Sequence, residues 1–118
     1  GSSNWFERGF VTYSNAAKTE LIGVPAALIE QHGAVSEPVA RAMASGALGH
    51  ARAQVSVAVT GIAGPTGGSP DKPVGTVWFA WDVADQISSE RCVFAGDRMA
   101  VREATVQHAL QGLLKRLT

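Results

Sequence analysis

A segment rich in glycine and proline separates two stretches that have the composition of β-strands. Residues 60–75 contain five glycines and three prolines, between Gln54–Val59 and Thr76–Trp81, which are apolar and β-prone. Glycine lets a backbone approach a ligand closely and adopt positive φ, whereas proline stiffens the chain. A loop of this length inside a compact domain is typical of a binding or lid loop. We therefore expect two central strands with a ligand site at their ends.

The composition is that of a globular protein and excludes several classes of function. The 118 residues are 46% apolar and 17% charged, and ten basic side chains balance ten acidic ones. Because no basic run stands out, nucleic-acid binding has no support. No apolar stretch has transmembrane length and none resembles a signal peptide, so no membrane partner is expected. Cys92 is the only cysteine, which excludes an internal disulfide and fits a cytoplasmic location.

The hydrophobic pattern predicts one α/β domain over residues 1–118. Breaks at glycine and proline divide the chain into strands and helices. The predicted elements are a strand at Phe10–Tyr13, helices at 15–22, 25–32 and 36–50, strands at 55–59, 76–83 and 87–94, and a last helix after Asp97. The short turn at 84–86 makes the last two strands an antiparallel hairpin. We expect a three-layer α/β/α arrangement around a mixed sheet.

Two short segments carry side chains suited to chemistry. Tyr13 ends the first predicted strand, and Lys18 follows one helical turn after the expected cap. A lysine in a crevice binds an anion or, when desolvation lowers its pKa, acts as a general base. The alternative is a solvated lysine on a short amphipathic helix. A serine such as Ser2 or Ser3 becomes a nucleophile if the fold brings such a base within hydrogen-bond reach.

Anion-binding groups lie around the glycine-rich loop. Arg98 follows a glycine at a helix start, where a phosphate or carboxylate is favoured, although a plain surface arginine fits equally well. Thr60 enters the loop, so its hydroxyl and the N–H groups that follow are candidate oxyanion donors, or it simply begins the loop. The three histidines are scattered without carboxylates at ligand spacing, so we expect packing or capping roles, with no metal and no cofactor.

Taken together, these segments resemble the C-terminal domain of the CinA family, the competence/damage-inducible proteins, which includes stand-alone nicotinamide-nucleotide amidohydrolases. The resemblance covers nearly the whole chain in the family's order, and its motifs are specific as a set. The matching runs are Gly1–Gly9, Val11–Asn15 with Lys18, His32–Ser36, Thr60–Pro65, Lys72–Val77 and Gly96–Arg98.

The resemblance implies hydrolytic deamidation of nicotinamide mononucleotide by a serine–lysine mechanism without metal, in a cytoplasmic homodimer. It assigns the nucleophile to Ser3, the base to Lys18 and a catalytic tyrosine to Tyr13. Thr60 and Arg98 correspond to the family's substrate-binding residues, and the main-chain groups of the glycine loop, at Gly61 and Gly64, complete the anion site.

The sequence departs from the family pattern at its beginning. Family members start with a strand and a helix that carry a Glu-Ser-Cys-Thr-Gly-Gly run, and residues 1–118 do not contain it. We therefore expect an N-terminally truncated domain whose Gly-Ser-Ser start is native. Two alternative functions stay open: a nucleotide-binding or regulatory module without catalysis, and an assembly domain that uses the aromatic stretch Trp78–Trp81, although aromatics in a strand are more often core residues.

Overall fold

The computed structural model describes all residues 1–118 and has helices on both faces of one small sheet. The elements are a 3₁₀-helix (Ser2–Asn4), α1 (Asn15–Ile22), α2 (Ala26–His32), α3 (Glu37–Gly49), β1 (Val55–Gly61), β2 (Thr76–Val83), β3 (Gln86–Val93) and α4 (Arg98–Leu117). Helix α3 packs on one face of the sheet with α1 and α2 against it, and α4 packs on the other face. The α/β class and the three layers are thus confirmed.

The sheet has the order β1-β2-β3 and is antiparallel throughout. Ala84 and Asp85 join β2 to β3 with φ of 53° and 62°, the two positive values that a type I′ turn requires. The hairpin is therefore as predicted, but two expectations need correction. The described sheet is not mixed, because every strand joins its neighbour antiparallel. β1 lies at its edge instead of its centre, because it pairs with β2 alone.

The predicted strand at Phe10–Tyr13 is wrong. These residues belong to no helix or strand. Their β-branched and aromatic side chains favour an extended backbone, but a strand also needs a partner that completes its hydrogen bonds. A cavity separates this segment from the free edge of β1, so no ladder forms.

Helix boundaries follow the capping residues that the sequence offers. Ser14 Oγ accepts a hydrogen bond from Ala17 N at 3.0 Å, and Gly23 ends α1 with φ of 69°. Asp97 Oδ1 accepts one from Ala100 N at 2.9 Å at the start of α4. The predicted starts of α1 and α4 are therefore confirmed.

The core lies on both faces of β2. Ala80 faces α3, whereas Phe79 and Trp81 face α4, and all three are fully buried. Trp81 Nε1 donates to Ala109 O at 3.0 Å, and the Arg116 guanidinium lies 3.8 Å from the centre of the indole ring. The aromatic stretch Trp78–Trp81 thus packs in the core, which is the alternative that the sequence favoured over an assembly surface. None of the helices combines the length and hydropathy that crossing a membrane requires.

Candidate active site

A cavity of about 1070 Å³ lies between the irregular segment Trp5–Tyr13 and the free edge of β1. Its lining is mainly apolar and comes from residues of α1, α3, β1 and both ends of α4. Volumes of this order hold a nucleotide-sized ligand. The cavity therefore has the size of a small-molecule site.

Lys18 brings an unusual amine into this cavity. The residue is only 6% exposed, and its Nζ donates to the carbonyl oxygen of Thr12 at 2.7 Å. No carboxylate forms an ion pair with it. Burial therefore lowers the pKa of Lys18, because the charged form loses hydration without gaining a counter-charge. A solvated surface lysine is excluded, and the amine is suited to accept a proton.

Tyr13 and Thr60 line the same cavity but differ in what their hydroxyls can do. Tyr13 is 86% exposed. Thr60 is buried, and its Oγ1 donates to Ala34 O at 2.9 Å. A hydroxyl has one hydrogen to donate. In this arrangement Thr60 therefore holds the cavity wall at Ala34 and has only acceptor capacity left for a ligand.

The glycine-rich loop touches the cavity at one end only. Gly61 and Ala63 line it, whereas Gly64 is buried with φ of 83° and does not. The carbonyl oxygen of Gly64 accepts a hydrogen bond from Arg98 Nη1 at 3.1 Å. Arg98 is exposed and lines the cavity, and its other guanidinium N–H groups have no partner in the chain. They are the donors that an anionic group would meet.

Ser3 lies outside this group. It is exposed in the 3₁₀-helix Ser2–Asn4 and does not line the cavity, whose lining begins two residues later at Trp5. The structure therefore brings together Lys18, Tyr13, Thr60, Gly61 and Arg98, and it does not bring Ser3 or Gly64 to the cavity surface.

The cavity wall has features that sequence reasoning missed. Glu7 accepts two hydrogen bonds from Arg8, at 2.7 and 2.9 Å, and one from Arg52 N at 3.0 Å. Arg8 Nη1 also donates to His50 O at 3.0 Å. These bonds fasten the wall to the turn after α3. The only signal in the sequence was the pair of opposite charges at Glu7 and Arg8 in an aromatic segment. Such a pair does not show that these side chains bond to residues more than forty positions away.

The chain holds no cluster of three or more His, Cys, Asp or Glu side chains arranged for a metal ion. His108 Nε2 lies 2.8 Å from Glu90 Oε1 and 3.6 Å from Cys92 Sγ, on the face of the sheet that α4 covers. Burial, with the nearby Glu90 charge, raises the pKa of the Cys92 thiol. The thiol is therefore kept protonated, which makes it a poor nucleophile.

Comparison with known proteins finds related sequences and structures. The family model "CinA C-terminal domain" matches residues 1–117. The nicotinamide-nucleotide amidohydrolase PncC of Pseudomonas putida is 58% identical over 98% of this chain and 72% of its own length. PncC of Escherichia coli K12 is 59% identical over 96% of this chain and 69% of its own. The crystal structure of competence/damage inducible protein CihA from Agrobacterium tumefaciens superposes with a TM-score of 0.97 at 43% identity, covering all of this chain and 73% of that one. The chain belongs to the CinA C-terminal domain family.

Proposed function

We propose that the chain is a nicotinamide-nucleotide amidohydrolase, which converts nicotinamide mononucleotide and water to nicotinic acid mononucleotide and ammonia. The observation that carries the proposal is Lys18, a buried amine with a lowered pKa in a nucleotide-sized cavity. Relatives more than half identical over almost the whole chain are named for this activity.

Lys18 acts as general base and then as general acid. The neutral amine takes the proton of the attacking serine hydroxyl, and the hydroxyl oxygen forms a bond to the carboxamide carbon. The resulting ammonium donates its proton to the departing amide nitrogen, and ammonia leaves as the C–N bond breaks. Lys18 then deprotonates a water molecule, which hydrolyses the ester and restores the serine.

We assign the nucleophile to Ser3, which requires movement of the chain ahead of Trp5. Hydrogen bonds from Trp5 N and Phe6 N to Ser2 O hold this stretch locally, whereas Glu7 and Arg8 fasten the rest of the wall to the turn after α3. For proton transfer, Ser3 Oγ must come within about 3 Å of Lys18 Nζ. Folding of residues 1–4 over the cavity would bring the two groups together.

Arg98 is proposed to bind the phosphate. A guanidinium with unused N–H groups at the cavity rim matches phosphate geometry. Main-chain N–H groups near Gly61 would add donors, and Tyr13 is the exposed hydroxyl that remains free to donate to the developing oxyanion.

Ammonia release from nicotinamide mononucleotide tests the chemistry. We expect Lys18→Met and Lys18→Arg to lower kcat by at least about 10²-fold, because neither side chain accepts a proton at neutral pH. Ser3→Ala should do the same, whereas its neighbour Ser2→Ala serves as the matched control and keeps activity. Full activity of the Lys18 variants would refute the proposal, and full activity of Ser3→Ala alone would refute the serine step.

The phosphate assignment has its own test. Arg98→Met should raise KM for the mononucleotide much more than for the riboside, which lacks the phosphate. Arg102 lies on the same helix but outside the cavity, so Arg102→Met is the control. Equal increases in KM for both substrates in Arg98→Met would show that Arg98 does not bind the phosphate.

The position of Ser3 also favours a second candidate, a nucleotide-binding module without catalysis, because the exposed serine does not reach the cavity in this conformation. Equilibrium dialysis with the mononucleotide separates the two: binding without ammonia supports the module, and turnover excludes it. The homodimer and the cytoplasmic location implied by the family stay predictions, and sedimentation of the purified chain tests the first.

A further inference from the structure

Three aromatic side chains on the cavity wall are exposed within residues 1–118. Trp5 is 76% exposed, Phe6 55% and Tyr13 86%, and all three line the cavity. Aromatic side chains of this size normally bury most of their surface. Tyr13 already has a role in the proposed chemistry, whereas Trp5 and Phe6 have none.

Trp5 and Phe6 form a pair that leaves aromatic surface free. Their ring centres lie 6.0 Å apart with an angle of 76° between the planes. In an edge-to-face pair the edge of one ring meets a face of the other, so most of the π-surface stays available. A Cβ at Gly9 would lie 3.7 Å from Phe6 Cζ, so the edge of the Phe6 ring lies near the backbone at Gly9.

The charges around the cavity explain what this surface is suited to bind. Arg8 and Arg98 contribute cationic groups, and Glu7 is the only carboxylate in the lining. Both oxygens of Glu7 are engaged by Arg8 and by the main-chain N–H of Arg52. A cationic ligand group would therefore find no free carboxylate. The faces of aromatic rings are the remaining attractive surface for a positive charge.

We propose that Trp5, supported by Phe6, stacks on the positively charged pyridinium ring of a nicotinamide nucleotide and selects it over the uncharged dihydropyridine form. The proposal rests on the proposed function for the identity of the ligand. It makes Trp5 a substrate-binding residue of the irregular wall segment, and it gives the wall a role in specificity.

Steady-state kinetics with the oxidised mononucleotide, and inhibition by its reduced form, test this selection. Trp5→Leu should raise KM for the oxidised substrate about tenfold, equivalent to about 1.4 kcal/mol, with kcat nearly unchanged. The inhibition constant of the reduced form should change by less than about twofold, because its ring carries no charge for the indole face to attract. Trp5→Phe should keep most of the affinity.

Val11 supplies the matched control, since it is 86% exposed and lines the same wall. Val11→Ala should affect neither ligand. An equal loss for both ligands in Trp5→Leu would mean that the indole only shapes the wall, and no loss for either would mean that it does not touch the ring; both results overturn the proposal. If the unaltered chain releases no ammonia, the proposed function fails by itself, and equilibrium dialysis of the two unconsumed ligands then decides the stacking.

Discussion

Substitution of Gly46 by alanine should unfold the chain more easily and disturb Lys18 at the same time. A Cβ at Gly46 would overlap the carbonyl oxygen of Ile22, at the C-terminal end of α1, and would lie 3.4 Å from Ile22 Cβ. The overlapping atom belongs to the main chain and cannot move away by a change of rotamer, so α1 itself must shift. Ile22 is 3% exposed in the core, and α1 also carries Lys18.

The magnitude is the difference between two opposing effects. Alanine in place of glycine inside a helix contributes about 1 kcal/mol of stability. Overpacking of a core costs about 1–3 kcal/mol, and displacement of Ile22 sacrifices part of the roughly 1.5–3 kcal/mol that its burial contributes. We expect a net loss of about 1–3 kcal/mol in the free energy of unfolding.

Gly49 on the same helix is the matched control, because nothing lies within 4 Å of a Cβ built there. Gly49→Ala should be neutral or stabilising by up to about 1 kcal/mol. The two variants should therefore differ by about 1–4 kcal/mol in urea unfolding, or about 4–16 °C in Tm at roughly 4 °C per kcal/mol. Equal stability of the two variants would refute the close approach of α1 and α3, and unaltered kcat in a destabilised Gly46→Ala would refute the coupling to Lys18.

Three further predictions concern charged side chains. Hydrogen bonds from Arg116 and His108 of α4 lower the pKa of Glu90, so its stabilising contribution is present above the ordinary value of 4.5 and is lost as the pH falls through the lowered one. Glu90→Gln should flatten the acid limb of stability against pH, and an unchanged limb would contradict this. Burial lowers the pKa of Lys18 below 10.5, so the free energy of unfolding should rise with pH between the lowered pKa and the ordinary one. Lys18→Met should abolish that rise in urea unfolding as the pH approaches 10.5. Lys72 Nζ donates to the carbonyl oxygen of the last residue of α2 at 2.7 Å. Lys72→Met should therefore accelerate hydrogen exchange at residues 66–70 and leave the exchange rates of β2 unchanged. Equal exchange in both forms would show that this bond does not order the loop.

Much of the fold could be predicted because local signals and tertiary packing agree. Ser14, Gly23 and Asp97 mark helix ends through bonds within their own turns. The turn before Gln86 fixes the hairpin in the same local way. The strand at Phe10–Tyr13 was wrong because pairing depends on a neighbour that no local pattern reveals. The close contact of α1 with α3 was hidden for the same reason, because no local pattern shows that Gly46 admits the end of α1.

The candidate site was predictable as a set of residue types and less so as an arrangement. Lys18, Tyr13, Thr60 and Arg98 do line one cavity. The hydrogen bonds of Thr60 to Ala34 and of Arg98 to Gly64 come from tertiary placement and reduce what each group offers a ligand. Sequence alone also does not report solvent exposure, which is what singles out Trp5 on the wall.

The wall of the cavity belongs to no helix or strand, and Glu7 and Arg8 attach it to the turn after α3. A change in these two side chains would therefore alter the shape of the binding surface while the buried layers around β2 keep their packing. The wall can thus influence substrate range through residues that lie outside the core around β2. A chain built in this way can evolve new ligand preferences without first acquiring surplus stability to tolerate them.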